Sequence, residues 1–161
     1  MSTGQVGGPE ERLAELGLAV PEVAKPVAAY VPAVRSGHHV YTSGQLPMRS
    51  GELMATGKVG GDVTAEQATA CAQQCALNAL AAVKAEIGDL ALVRRIVKVV
   101  VFVASTPDFT GQPGVANGAS ELFGSVFGDA GVHARSAVGV PVLPLDAPVE
   151  VEVVVELSDE G

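Results

Sequence analysis

TAEQATACAQQCALNALAAVKAEIGDLALVRRIVKVVVFVAS, residues 64–105, holds two hydrophobic periods in succession, and the switch between them decides the fold. From Thr64 to Gly88 the apolar residues recur at helical spacing. Leu77, Leu80, Val83 and Ile87 form one stripe, and Ala68, Ala72, Cys75, Ala79 and Ala82 form a flank of small residues. Thr64 with Gln67 makes a capping box at the start, and Gly88 stands where a helix stops. In LVRRIVKVVVFVAS the period becomes that of a strand, with Val97, Val99 and Val101 expected on one side and Lys98 and Val100 on the other. A long helix handing over to a β-branched strand predicts an α+β domain, with the helix packed on a sheet.

Downstream, Val115, Ala119, Leu122, Phe123, Val126 and Phe127 predict a second helix, with Pro113 near its start and Gly128 after its end. ARSAVGVPVLP (134–144) and PVEVEVVVELS (148–158) read as two final strands joined by a turn at Leu145 to Ala147. Upstream, VAAYVPAVR and HHVYTSGQLP flank Ser36-Gly37 as strand, turn and strand, with Tyr30 in the first arm and Tyr41 in the second. Pro32 puts that first arm at a sheet edge or a bulge. GELMATGKVGGDV is glycine-rich loop, with a short strand around Leu53 to Thr56. PEERLAELGL predicts a short helix after a disordered lead-in at residues 1–8, and VPEVAKP is a linker. The order is β-β-(β)-α-β-α-β-β behind an N-terminal helix. Two helices cover one face of such a sheet, so its other face is expected to be buried by assembly.

The 161 residues suit one domain. A mean hydropathy of +0.34 is high for a soluble monomer, which again points to apolar surface between subunits. The formal charge is −8, and only Arg94, Arg95 and Lys98 cluster. Such an acidic chain lacks the basic footprint of a nucleic-acid binder. No basic start precedes an apolar run, so no signal peptide is expected, and the apolar stretches are too short to span a membrane. Cys71 and Cys75, four residues apart on one helix, suit small core positions in a reducing cytoplasmic compartment better than a disulfide or a zinc site.

The chemistry centres on HARSAVGVPVLP, residues 133–144, where Arg135 stands at the mouth of an apolar strand. In the last strand Glu150 and Glu152 share one face, and Val149, Val151 and Val153 share the other. Glu152 and Glu156 suit a solvated acidic face. Arg135 and Glu150 are expected near corresponding ends of adjacent strands, or of strands in neighbouring subunits. An arginine fork for a carboxylate, with a glutamate to hold water, makes a small hydrolytic site. The spacing alone leaves open a surface arginine or a structural ion pair. His133, two residues before Arg135, points the same way along the strand. His38 and His39 sit exposed at the hairpin turn. Gly57 to Gly61 lacks the spacing of a phosphate loop and reads as flexible loop. Ser43 has no identifiable triad partners.

YTSGQLP (41–47), DFTGQPGVANGASELF (108–123), HARSAVGVPVLP (133–144) and PVEVEVVVEL (148–157) together resemble the Rid family, also called the YjgF or reactive-intermediate deaminase family. The resemblance covers a Rid-like domain at residues 30–157, preceded by an extension at residues 1–29 with its short helix and linker. It implies a chorismate-mutase-like mixed sheet with two helices on one face, the other face buried in a homotrimer, and sites in the clefts between subunits. It also implies hydrolysis of enamines and imines such as 2-aminoacrylate and 2-iminobutanoate to 2-keto acids and ammonia, without metal or cofactor. Residue by residue, Arg135 matches the arginine that grips the substrate carboxylate. Glu150 matches the glutamate that positions or activates water, and Tyr30 a site tyrosine from the first strand. Ser43 and Gly44 match the loop facing the substrate, and Asn117 an asparagine near the cleft. The chain departs from the pattern at Ala137, where cysteine is frequent, and at Gly139, where many members carry glutamate. Glu150 beside apolar valines is expected to have a raised pKa. The same residues allow two other readings: a non-catalytic binder of small carboxylates, and an enzyme for a larger imine, with Ala137 and Gly139 opening space. Ribonuclease activity is disfavoured by the acidic balance and the lack of an aromatic stacking platform.

Overall fold

The strand β7 (Val149–Leu157) is the middle of a five-stranded sheet in the order β1-β2-β7-β5-β6. The structure, a computed structural model, describes residues 7–23 and 28–159. β7 pairs antiparallel with β2 (His39–Thr42) on one side and β5 (Val93–Ala104) on the other. β1 (Ala33–Ser36) forms one edge as a hairpin with β2. β6 (Ala134–Val140) forms the other edge, parallel to β5. A parallel pair needs a crossover, and α3 (Gln112–Phe127) supplies it. A two-strand ribbon of β3 (Met48–Arg49) and β4 (Glu52–Leu53) stands apart from the sheet. It is shorter than the strand expected around Leu53 to Thr56.

Every odd residue of β7 from Val149 to Leu157 is buried, and every even one is half-exposed, so the strand sorts itself into a helix face and an open face. α2 (Ala65–Ile87) and α3 cover the helix face. The capping box forms as its residues predict: Gln67 N–H donates to Thr64 Oγ1 (3.1 Å) and Thr64 N–H donates to Gln67 Oε1 (2.9 Å). The small-residue flank does what small residues allow, since Ala68, Ala72, Cys75, Ala79 and Ala82 are all buried. The two helices cross where Gly118 meets the Thr69 carbonyl, and a Cβ at position 118 would overlap that oxygen.

β5 departs from simple alternation. Its register against β7 slips between Ile96 and Lys98, so Ile96 and Val99 both face the core and Val97 is turned to a half-buried position. The expectation that Val97 shares a face with Val99 is therefore wrong, because period two holds only on each side of the bulge. The stretch Gly57 to Gly61, expected to be a flexible loop, is pinned. Val59 is fully buried, its N–H donates to Ala104 O (2.8 Å) and its carbonyl accepts from Thr106 N–H (3.0 Å). Lys58 pairs with Asp146 across to the turn before β7.

α1 (Pro9–Glu15) lies on the helical layer. Arg12 Nη1 donates to Val126 O (2.7 Å), Glu10 pairs with Lys84 (2.6 Å), and Leu13 is fully buried in the main core. Part of the predicted linker, residues 24–26, and the first residue of the predicted first arm, Val27, lie outside the described residues. Among the described residues no helix is long and apolar enough to cross a membrane. Among the described residues no helix covers the open face either, where Val34, Tyr41 and Val138 are exposed and Val100, Phe102 and Val154 are half-buried.

Candidate active site

Arg135 enters on the edge strand β6. Ala137 packs against the core, so Arg135 and Gly139, each two residues away, share the face that meets α3. Arg135 Nη1 donates to Asn117 Oδ1 (2.8 Å) and to Ser120 Oγ (3.2 Å), residues one helical turn apart on α3. Among the described residues Arg135 makes no ion pair. A half-exposed guanidinium held by neutral oxygens keeps its charge uncompensated and available to an anion.

Glu150 sits at the opposite end of the problem, on the open face at the start of β7. Its carboxylate lies against Gly44, where a side chain would overlap it. The loop carrying Gly44 is fixed beside it. Gln45 exchanges backbone bonds with Val151 (2.8 and 3.0 Å), Ser43 N–H donates to Pro32 O (2.8 Å), and Ser43 Oγ donates to Val31 O (2.6 Å). Burial raises the Glu150 carboxyl above the ordinary glutamate range, and the like charge of Glu152 on the same face raises it further. Tyr30 lies in a bend one residue before Val31 and is 57% exposed, not in a strand as expected. Pairing begins only at Ala33, because Pro32 has no N–H to give a ladder.

Gly44 and Glu150 thus lie together with Ser43 next along the chain, Tyr30 precedes the Val31 carbonyl that Ser43 Oγ holds, and Arg135 and Asn117 stand at another place. The two strands expected to be adjacent are separated by β5. Arg135 stands opposite Val99, and Val99 opposite Val153, whereas Glu150 stands opposite Phe102. The two residues are therefore two strands apart, about 10 Å across and about 10 Å along the sheet, on opposite faces. No motion of side chains alone brings them together within one chain. The crossover through α3 is the cause: it carries β6 to the outer edge, leaving β7 to return on the inner side of β5.

The remaining candidates sort plainly. His39 pairs opposite Glu156, at the far end of β7 from Glu150, and His38 is exposed in the turn, which falls at Gly37-His38 and not at Ser36-Gly37. Cys71 and Cys75 are free, buried core residues, and burial raises both thiols. No cluster of metal-ligating side chains occurs among the described residues. Gly139 is exposed and lines a cavity, while an added Cβ would come within 2.8 Å of both Gln112 Nε2 and Ser105 Oγ. A cavity of about 310 Å³ lies beside it, lined by Phe109, Gln112, Val140 and Pro141 among others. Sequence reasoning missed Ser120 and Gln112. Ser120 follows Asn117 by three residues on a predicted helix, and that spacing was the available signal.

Residues 10–157 match the family described as "YjgF/chorismate mutase-like, putative endoribonuclease". Protein TCP17 of Trypanosoma cruzi is 45% identical over 99% of this chain and 100% of its own length. The 2-iminobutanoate/2-iminopropanoate deaminase of Escherichia coli K12 is 34% identical, over 80% of this chain and 87% of its own. The crystal structure of Atu1372 from Agrobacterium tumefaciens, described as of unknown function, superposes with a TM-score of 0.86 at 48% identity, covering 92% of this chain and 91% of that one.

Proposed function

The chain belongs to the YjgF/chorismate mutase-like family, and from that premise we propose that it hydrolyses small enamines and imines bearing a carboxylate, of the 2-aminoacrylate and 2-iminobutanoate type, to 2-keto acids and ammonia. The observation that carries the proposal is the pair of half-sites. Among the described residues Arg135 is a cation without a carboxylate partner, held by Asn117. Glu150 is a carboxylate set against Gly44, its pKa raised by burial. Each supplies what the other lacks. We infer that a second copy of the chain supplies the missing half, in a homotrimer whose sites lie between subunits, and that the uncovered sheet face is where the copies meet.

In that arrangement the Arg135 fork holds the substrate carboxylate and fixes the iminium carbon near Glu150. Glu150 orients a water and accepts its proton as oxygen bonds to that carbon, giving a carbinolamine. It then returns the proton to the amine nitrogen. The C–N bond breaks, ammonia leaves, and the hydroxyl proton goes with it as ammonium, leaving the keto acid. A raised carboxyl suits this exchange, because a group titrating closer to neutrality both takes and gives a proton. The steps use side chains and water. In the one basic cluster Arg94 is paired with Glu156 (3.3 Å) and Lys98 donates to Ser136 (3.3 Å), and the net charge of −8 favours a small anion over a nucleic acid. The buried reduced thiols fit a cytoplasmic setting.

The test is release of 2-oxobutanoate from 2-iminobutanoate generated in situ by a pyridoxal-phosphate dehydratase. Acceleration by the wild type that disappears in Arg135→Ala is the expected result. A folded wild type that accelerates nothing, yet binds 2-oxobutanoate through Arg135, makes the protein a carboxylate binder instead.

A further inference from the structure

Behind Arg135 the structure holds a chain of hydrogen bonds that neither the family resemblance nor the proposed chemistry uses. His133 Nδ1 lies 2.6 Å from Gly131 O. A carbonyl only accepts, so Nδ1 carries the proton. His133 Nε2 lies 2.8 Å from Ser120 Oγ, and Ser120 Oγ also accepts from Arg135 Nη1 at 3.2 Å. With Nδ1 protonated, a neutral imidazole leaves Nε2 as a lone pair, and the Ser120 hydroxyl donates to it. That donation points the oxygen's own lone pairs back at Arg135. The ring plane is fixed independently, because His133 packs edge-on to Phe123 with centroids 5.9 Å apart at 90°.

We propose that His133 and Ser120 are positioning residues that set which edge of the Arg135 guanidinium meets the substrate. Nη1 has two hydrogens, and the protein uses both, one on Asn117 and one on Ser120. Among the described residues nothing takes the Nε–H or the Nη2 hydrogens. Those lie along the side edge of the guanidinium, where Nε–H and one Nη2–H run parallel and match the two oxygens of a carboxylate. Tying Nη1 therefore selects side-on capture of the substrate carboxylate and forbids the end-on mode, which needs an Nη1 hydrogen. It also removes rotation of the guanidinium plane, so the iminium carbon arrives at one angle. The role differs from that of Asn117, which is a terminal acceptor. Ser120 turns its lone pairs to the arginine while its proton is directed to His133, and so the pair acts as one device.

The inference rests on the proposed role of Arg135, and its test has two separate readings. In the first, the full-length protein is labelled with ¹⁵N in histidine and arginine. The wild type is expected to show His133 as the neutral Nδ1–H tautomer and Arg135 Nε–H as a sharp, resolved signal. Ser120→Ala and His133→Phe, which keeps the ring against Phe123, are expected to shift and broaden the Arg135 signal. His133→Gln, whose amide oxygen can accept the Ser120 proton, is expected to restore it. In the second, calorimetry measures the affinity for 2-oxobutanoate. Ser120→Ala and His133→Phe are each expected to weaken binding about tenfold, the double variant no more than either single, and His133→Gln to recover most of the loss. An Arg135 signal unmoved by both single variants, a protonated Nε2, or additive losses of affinity would overturn the inference. So would a moved signal with unchanged affinity. Wild type that shows the expected spectra but neither binds nor turns over the small carboxylate supports the relay and removes the proposed substrate. Thermal unfolding of each variant identifies one that fails to fold, and the Gln variant then decides alone.

Discussion

Glu150 makes a definite demand at the scale of a single residue. Its carboxyl is raised by burial first and by Glu152 second, so the folded chain holds this proton more tightly than the unfolded chain does. The folded state then binds more protons through the interval between the ordinary glutamate pKa and the raised one, and stability falls as pH rises through it. Glu150→Gln removes that dependence. The variant is expected to melt at or above the wild-type temperature at pH 8 and to show a flatter pH profile between pH 4 and 8. Over the same range its imine hydrolysis should fall by about 10²- to 10⁴-fold, the usual worth of a general base. Scanning calorimetry and initial rates on the same samples separate the two effects: a residue that only stabilised the fold would lose both together. Arg135 and Glu150 stood out in the sequence as charges set in apolar strands, but Glu152 and Glu156 share that pattern, and only the family resemblance singled out the roles of Arg135 and Glu150. Tyr30 was legible as a residue but not in its place, because Pro32 moved the start of pairing past it. Ser120 was not legible, since a serine in a helix carries no mark of what faces it.

Among the elements, α3 both covers the sheet and holds Arg135, so its seat on α2 fixes the site. That seat depends on Gly118, whose missing side chain admits the Thr69 carbonyl. Gly118→Ala forces backbone apart and is expected to cost about 1–3 kcal/mol, read as a lower denaturation midpoint at unchanged slope. Gly124 stands on the exposed side of the same helix with nothing near a Cβ. Gly124→Ala is expected to stabilise by about 0.5–1 kcal/mol through helix propensity alone. The contrast isolates the crossing from the propensity of α3. Helix boundaries were readable because caps and periods are local: Thr64, Gln67 and Gly88 fix α2 without reference to anything distant. The bulge in β5 was not readable, because Ile96 and Val97 are equally suited to the core and only pairing with β7 chooses between them. Strand order was hidden for the same reason. Nothing in HARSAVGVPVLP says that β5 will lie between it and the strand that follows.

For the whole molecule the separation of the half-sites becomes a prediction about assembly. Arg135 and Glu150 sit on opposite faces with β5 between them, so one copy alone cannot hydrolyse an imine by the proposed route. The open face, with Val34, Tyr41 and Val138 exposed, offers the apolar surface through which copies would join. Arg135→Ala and Glu150→Gln are each expected to be inactive. Mixed in equal amounts, unfolded and refolded together, they are expected to regain activity, because some interfaces then pair an intact arginine from one copy with an intact glutamate from its neighbour. With random assembly into a closed ring, about one interface in four is complete, so the mixture should recover about a quarter of wild-type activity per site. Sites contained within single chains predict no recovery at any mixing ratio. A recovery that scales with the fraction of mixed interfaces, followed by sedimentation to give the number of copies, would tie the geometry of one chain to the work of several.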